Sequence, residues 1–166
     1  MTRPALVLIG PMGSGKSRIG KRIAKLLEVG FTDTDKVIVA EHGPIATIFE
    51  EHGEPHFRAI EREAVAAALL GDGVVSLGGG AVLDAATQAD LEQHRVVLLT
   101  VTPEAVAPRL ANEKRPLVKN GLEDWLRIRD ARMPLYERLA DATFDTSDRP
   151  TSTIAEEVAA WVRQSA

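Results

Sequence analysis

Residues Gly10–Ser17, GPMGSGKS, match the pattern G-x-x-x-x-G-K-S/T, and they stand between an apolar run, Ala5–Ile9, and a stretch of helical periodicity, Lys16–Leu27. A strand that enters a helix through a glycine-rich turn is the opening of a β-α unit, so this segment constrains the fold more than any other. Its chemistry is equally specific. The backbone N–H groups of Gly13, Ser14, Gly15, Lys16 and Ser17 can turn inward around an anion, and the helix that follows presents its positive end to the same charge. Lys16 is expected to bridge the β- and γ-phosphates of a nucleotide, and the Ser17 hydroxyl to ligate Mg²⁺. A glycine-rich turn without function is the alternative reading.

The rest of the chain continues the same alternation. Val74–Leu77 and Val96–Val101 are β-branched or leucine-rich runs bounded by glycine or proline, as buried parallel strands should be. Phe31–Thr34 and Thr143–Thr146 are weaker strand candidates. Helical patterns cover Phe57–Leu70, Ala85–Gln93, Pro103–Ala111, Gly121–Leu139 and Ser152–Arg163, with Pro103 placed directly after the capping hydroxyl of Thr102. The expected class is therefore α/β: a three-layer sandwich with a five-stranded parallel sheet flanked by helices. Two segments break the rhythm. Asp35–Arg58, with His42, His52, His56 and breakers at Gly43-Pro44 and Gly53, reads as a small helical insertion at about 35–60. Asn112–Gly121, NEKRPLVKNG, reads as a basic, mobile connection between helices. Residues 1–166 are expected to form one domain.

Composition narrows the function. The balance of 20 basic and 24 acidic residues is mildly acidic, and one Tyr, two Trp and four Phe offer little for base stacking, so nucleic acid is not an expected partner. The run Ala5–Ile9 is too short for a membrane span and lacks the flanks of a secretory signal. The absence of cysteine is compatible with the cytoplasm. No guanine-reading N-K-x-D segment is present, and no strand among the stronger candidates ends in an acidic residue. Acidic support for Mg²⁺ is therefore expected from Asp33-Thr34-Asp35, because ligands of open α/β sheets collect at the carboxyl ends of strands. Helix capping is the plain alternative for both aspartates.

Six motifs then fall in one order: the phosphate loop, Asp33-Thr34-Asp35, Phe57-Arg58 with Glu61, Gly78-Gly79-Gly80, Arg115-Pro116-Leu117, and Arg132 ahead of Pro134-Leu135-Tyr136. In this order they resemble the shikimate kinases across essentially the whole chain. The resemblance implies a P-loop kinase fold with a lid and a small helical substrate-binding insertion. The implied reaction is transfer of the ATP γ-phosphoryl group to the 3-hydroxyl of shikimate, on the way to chorismate and the aromatic amino acids.

It also implies roles. Arg58 and Arg132 match the arginines that grip the substrate carboxylate through paired N–H donors. Asp35 matches the carboxylate that meets the substrate hydroxyls, as base or as orienting group. Gly78, Gly79 and Gly80 match a loop whose backbone approaches the substrate. Glu61, three residues after Arg58 on the same helical side, is expected to hold that guanidinium. Asp33 resembles the carboxylate that supports Mg²⁺ through water, and Arg115 in the 112–121 segment resembles the lid arginine that closes over the phosphates. Arg109 and Arg149 are the expected neighbours of the adenine.

Arg18 stands where many such kinases have threonine, which points to an altered nucleotide contact. Each arginine has an ordinary alternative as a solvated helix charge. Met133, Leu135 and Leu139 read as core, and the three histidines of the insertion as solvated. The rival readings are a different small-molecule kinase of gluconate or nucleoside-monophosphate type, and a nucleotide-binding module with decayed catalysis. A monomer is the default.

Overall fold

The computed structural model describes residues 3–111, 118 and 120–165. Five strands form one sheet: β1 (Leu6–Ile9), β2 (Phe31–Asp33), β3 (Val74–Ser76), β4 (Val96–Thr100) and β5 (Ala142–Asp145). Their order is β2-β3-β1-β4-β5, and every pairing is parallel. Alternation along the central strands divides the core in two. Leu6, Leu8, Val74, Val97 and Leu99 face α1 (Lys16–Leu27) and α8 (Thr151–Gln164). Val7, Ile9, Val75, Leu77, Val96 and Leu98 face α4 (Glu54–Leu69), α5 (Ala85–Leu91) and α7 (Leu122–Leu139). All four residues of β1 are buried, since both faces of a central parallel strand are covered. Removal of each such aliphatic side chain from water contributes about 1.5–3 kcal/mol.

The expected three-layer α/β sandwich is thus present. Its boundaries differ from the sequence reading where capping decides them. β2 stops at Asp33, one residue early, because the Asp33 carboxylate accepts the N–H groups of Asp35 and Lys36 and so starts α2 (Thr34–His42) at once. α4 begins at Glu54 instead of Phe57, with Gly53 as its cap and Pro55 in its first turn. β5 is displaced by one residue toward the N-terminus. The Asp141 carboxylate accepts from Val96 N–H, and Asp141 N–H donates to Val96 carbonyl, so the ladder opens there.

The irregular segment resolves into α2, α3 (Ile45–His52) and the first turns of α4, around a separate small core of Ile38, Ile48 and Phe57. A further cluster joins Val101, Val106 and Leu110 near α6 (Pro103–Leu110) with Val118 and Trp125, and Met12 of the glycine-rich loop packs against it. As expected, Thr102 caps α6 through Ala105 N–H at 3.2 Å. Leu139 is buried, and Met133 and Leu135 lie partly buried against the same core.

The carboxyl ends of β1, β2 and β3 share one edge of the sheet, and β3 lies between the other two. Gly73 sets the opposite end of β3. Its φ is +79°, and a Cβ there would stand 2.3 Å from the Gly30 carbonyl oxygen. Gly73→Ala should therefore lower stability by about 2–3 kcal/mol in urea unfolding. An unchanged midpoint would show that the backbone relieves the contact.

Candidate functional site

The loop between β1 and α1 is braced from several directions. Lys16 Nζ donates to the Gly10 and Pro11 carbonyls at 2.7 and 3.0 Å, which folds the ammonium back across the loop. Thr146 Oγ1 donates to the Ser14 carbonyl at 2.7 Å, and Arg109 spans the Gly13 and Thr146 carbonyls at 2.7 and 3.0 Å. Trp125 Nε1 donates to the Met12 carbonyl at 2.8 Å. Ser14 is fully buried, and its hydroxyl has no hydrogen-bond partner among the described residues.

Asp33 serves two purposes. One carboxylate oxygen caps α2, and the other accepts the Ser17 hydroxyl. A hydroxyl and a carboxylate are thereby held side by side at the start of α1. These are hard oxygen donors of the kind Mg²⁺ takes, and Mg²⁺ retains most of its shell as water and phosphate oxygen. Among the described residues no group of three or more His, Cys, Asp or Glu forms a metal cage. The donor set fits a nucleotide-borne cation.

The triplet Gly78–Gly80 follows β3 and lies against charged groups from three elements. A Cβ on Gly78 would stand 2.6 Å from Asp35 Oδ1 and 2.9 Å from Glu61 Oε2. One on Gly80 would stand 2.5 Å from both terminal nitrogens of Arg58. At Gly79 it would meet Arg132 Nη1 at 3.5 Å, the Gly10 carbonyl oxygen at 3.6 Å and Met12 N at 3.6 Å. Bare backbone is what admits two guanidiniums and two carboxylates to one place. Arg58 is fixed by Glu61 at 2.7 Å and by Glu54 at 3.2 Å. Arg132, only 7% exposed, has no carboxylate within ion-pair distance among the described residues.

A cavity of about 320 Å³ joins the phosphate loop to Asp35 and the glycine triplet, bounded by Lys16, Ser17, Asp33, Asp35, Gly78 and Arg109, among others. Arg132 reaches it only behind Gly79 and is not among the lining residues. Gly13, Gly15, Arg18 and Gly79 also line it. Gly80, Arg58 and Glu61 line an adjoining space of about 250 Å³, so the glycine triplet runs between the two. Arg149 is not among the lining residues and pairs with Glu157 of α8. Arg115 lies outside the described residues, as do the rest of 112–117 and residue 119. Arg18 is exposed. It also lines a neighbouring groove with Lys21, Arg22, Lys25 and Lys36, which puts a positive field beside the mouth of the cavity. There the Lys36 ammonium, at hydrogen-bonding range, pulls Lys21 below the ordinary lysine value.

Three contacts had no local signature: Trp125 to Met12, Thr146 to Ser14, and the Tyr136 hydroxyl to the Gly79 carbonyl at 2.6 Å. Each joins residues more than 50 positions apart. Only Tyr136 carried a hint, as the end of the motif that begins at Arg132.

Residues 12–163 match the family model described as shikimate kinase. A shikimate kinase of Streptomyces avermitilis is 46% identical over 162 residues, covering 95% of each chain. One of Salinispora arenicola is 47% identical over 161 residues, covering 95% of this chain and 96% of the relative. Among solved structures, a shikimate kinase from Acinetobacter baumannii in complex with shikimate superposes with a TM-score of 0.92 at 30% identity, covering 99% of this chain and 95% of that one.

Burial pushes the Glu61 carboxyl above the usual glutamate range, while the Arg58 guanidinium opposes that rise. The folded protein keeps this proton at a pH where the unfolded chain has lost it. Glu61 therefore contributes stability below the ordinary glutamate value, and that contribution is lost as pH rises through the raised one. In a ¹³C titration the Glu61 carboxyl should ionise above the exposed glutamates. Arg58→Met, by removal of the opposing cation, should move the midpoint higher still. A midpoint within the exposed range would refute the assignment of burial as the dominant effect.

Proposed function

The chain belongs to the shikimate kinase family and is an ATP-dependent small-molecule kinase; from that premise we propose how its own residues carry the γ-phosphoryl group of ATP to the 3-hydroxyl of shikimate. The observation that carries the reading is Arg132. A guanidinium 7% exposed and without a carboxylate partner among the described residues is costly to keep charged, and an anionic ligand relieves that cost. The carboxylate of shikimate is such an anion. Arg58, on the other side of the glycine triplet, supplies the second set of N–H donors.

With the carboxylate held there, the ring hydroxyls face Asp35, whose Oδ1 lies beside Gly78. Asp35 accepts a hydrogen bond from the 3-hydroxyl and aims its oxygen at the γ-phosphorus. The bond between that oxygen and phosphorus forms as the bond from the γ-phosphorus to the β–γ bridging oxygen breaks. ADP departs, and the hydroxyl proton passes to Asp35 late in the transfer. Lys16, freed from the Gly10 and Pro11 carbonyls, spans the β- and γ-phosphates. Mg²⁺, when bound with the nucleotide, neutralises charge on the phosphate oxygens, and Ser17 with Asp33 through water would hold it. Arg109 and Arg18 border the nucleotide.

We assign α2, α3 and the start of α4 to the substrate-binding insertion of a single domain, and the 112–121 segment, with Arg115, to a lid that excludes water. Use of ATP supports work in the cytosol. Among the described residues no helix is long and apolar enough to cross a membrane.

ADP release measured with shikimate, gluconate and a nucleoside monophosphate as acceptors should show turnover with shikimate alone. Preference for either of the others would overturn the acceptor assignment. Asp35→Asn should reduce kcat by about 10³-fold or more, within the range for a lost acid–base or positioning group, with ADP affinity nearly unchanged. Turnover near the wild-type rate would remove Asp35 from the reaction.

A further inference from the structure

α7 touches both halves of the site. Near its start, the Trp125 indole N–H donates to the Met12 carbonyl of the phosphate loop at 2.8 Å. Eleven residues later, the Tyr136 hydroxyl donates to the Gly79 carbonyl of the glycine triplet at 2.6 Å. Eleven residues are close to three helical turns, so both side chains leave the same face, with Arg132 between them one turn before Tyr136. Both donors are almost wholly inaccessible: Trp125 is 1% exposed and Tyr136 0%. Neither is redundant packing, because each places its single polar group on a backbone carbonyl of a ligand-facing loop. The two loops also abut, with the Cβ direction of Gly79 meeting the Gly10 carbonyl oxygen and Met12 N at 3.6 Å.

The loops have different anchors otherwise. The phosphate loop hangs on β1 and is braced by Arg109 and Thr146, whereas the triplet hangs on β3. Strand pairing reaches only as far as the Leu77 N–H on the Leu8 carbonyl, and beyond it no backbone hydrogen bond among the described residues joins the two loops. A carbonyl held by a side chain also fixes the plane of its peptide, and hence where the next N–H points. Tyr136 in this way sets the direction of Gly80 N–H, and Trp125 that of Gly13 N–H.

We propose that Trp125 and Tyr136 act as paired positioning residues, which hold the phosphate loop and the glycine triplet at a set separation along α7 and thereby set the distance from γ-phosphate to acceptor hydroxyl. This rests on the reading of the triplet as the acceptor loop. Neither residue touches a reacting atom; each holds one loop carbonyl, and the Tyr136 hydroxyl also lies within hydrogen-bonding reach of the Arg132 guanidinium. The N–H of Trp125 is the only hydrogen-bonding group that distinguishes it from phenylalanine, and the hydroxyl is the only one that distinguishes Tyr136, so each test removes one polar group and leaves a ring in place. A rise in uncoupled hydrolysis separates the loop effect of Tyr136 from its contact with Arg132.

Trp125→Phe should raise KM for ATP three- to ten-fold, the range for one lost hydrogen bond, with KM for shikimate unchanged. Tyr136→Phe should do the reverse. In both, the fraction of ATP hydrolysed without transfer should rise, because a loosened loop still binds its ligand but misaligns it. The double variant should lose less in kcat than the product of the single losses, since one loose loop already breaks the alignment. Equal changes in both KM values, or a fall in kcat with no rise in uncoupled hydrolysis, would show a general structural role and overturn the proposal.

The intact protein gives an independent check should a variant fail to fold. Of its two tryptophan indole N–H resonances, assigned through Trp161→Phe, the one from Trp125 should shift when ADP is added and the one from Trp161 should not. A Trp125 resonance that stays put at saturating ADP would break its link to the phosphate loop. Failure of shikimate as the acceptor in the panel, with the ADP-dependent shift intact, would instead overturn the acceptor reading and leave the Trp125 contact standing.

Discussion

The parallel register of β1 against β3 is the constraint on which the site depends. Leu8 pairs with Ser76, and the Leu77 N–H donates to the Leu8 carbonyl at 3.1 Å just past the end of β3. From those two positions the chain turns into the phosphate loop on one strand and the glycine triplet on the other. A slip of one residue would send every apolar side chain of the strand to the opposite face, which the two buried clusters forbid. Hydrophobic burial, which carries no directional information, becomes precise placement through the two-residue period of the strand.

Charge is then arranged with little waste. Asp33 caps a helix with one oxygen and holds Ser17 with the other, so the residue that starts α2 also ties it to α1. Arg58 is held by Glu54 and Glu61 on its own helix, and only Glu61 is buried. That asymmetry explains why Glu61 resists ionisation. Its charge is removed from water, and the Arg58 guanidinium, helped by Arg132 and opposed by Asp35, compensates for only part of the loss. Arg132 has no carboxylate at ion-pair distance among the described residues and feels Glu61 only from farther away. A site that keeps a guanidinium so poorly matched has electrostatic energy to offer an incoming carboxylate, at the cost of a less stable protein without it.

The sequence and the structure agree most closely where the determinants are local. The strand-loop-helix at Ala5–Leu27 is legible because apolar run, glycines, lysine and helix period follow without a gap. The insertion was harder to read. Its short helices α2 and α3 bury little more than Ile38 and Ile48, so their apolar periodicity is weak, and their ends are set by Asp33, Gly43 and Gly53. The one-residue shift of β5 has a similar cause. It is a half-buried edge strand whose start depends on the Asp141 carboxylate meeting Val96, 45 positions away.

Taken by itself, the sequence determined the α/β alternation, the phosphate loop and the identity of the charged residues, because those depend on side-chain type at short spacing. Only the tertiary structure decided which carbonyls are held, which guanidinium meets a carboxylate among the described residues, and how Trp125 and Tyr136 reach two separate loops. Those outcomes follow from the sheet order β2-β3-β1-β4-β5 and from the face of α7 that the core selects, and both are properties of long-range packing. A single helix can measure the distance between two loops only after the sheet has put them side by side.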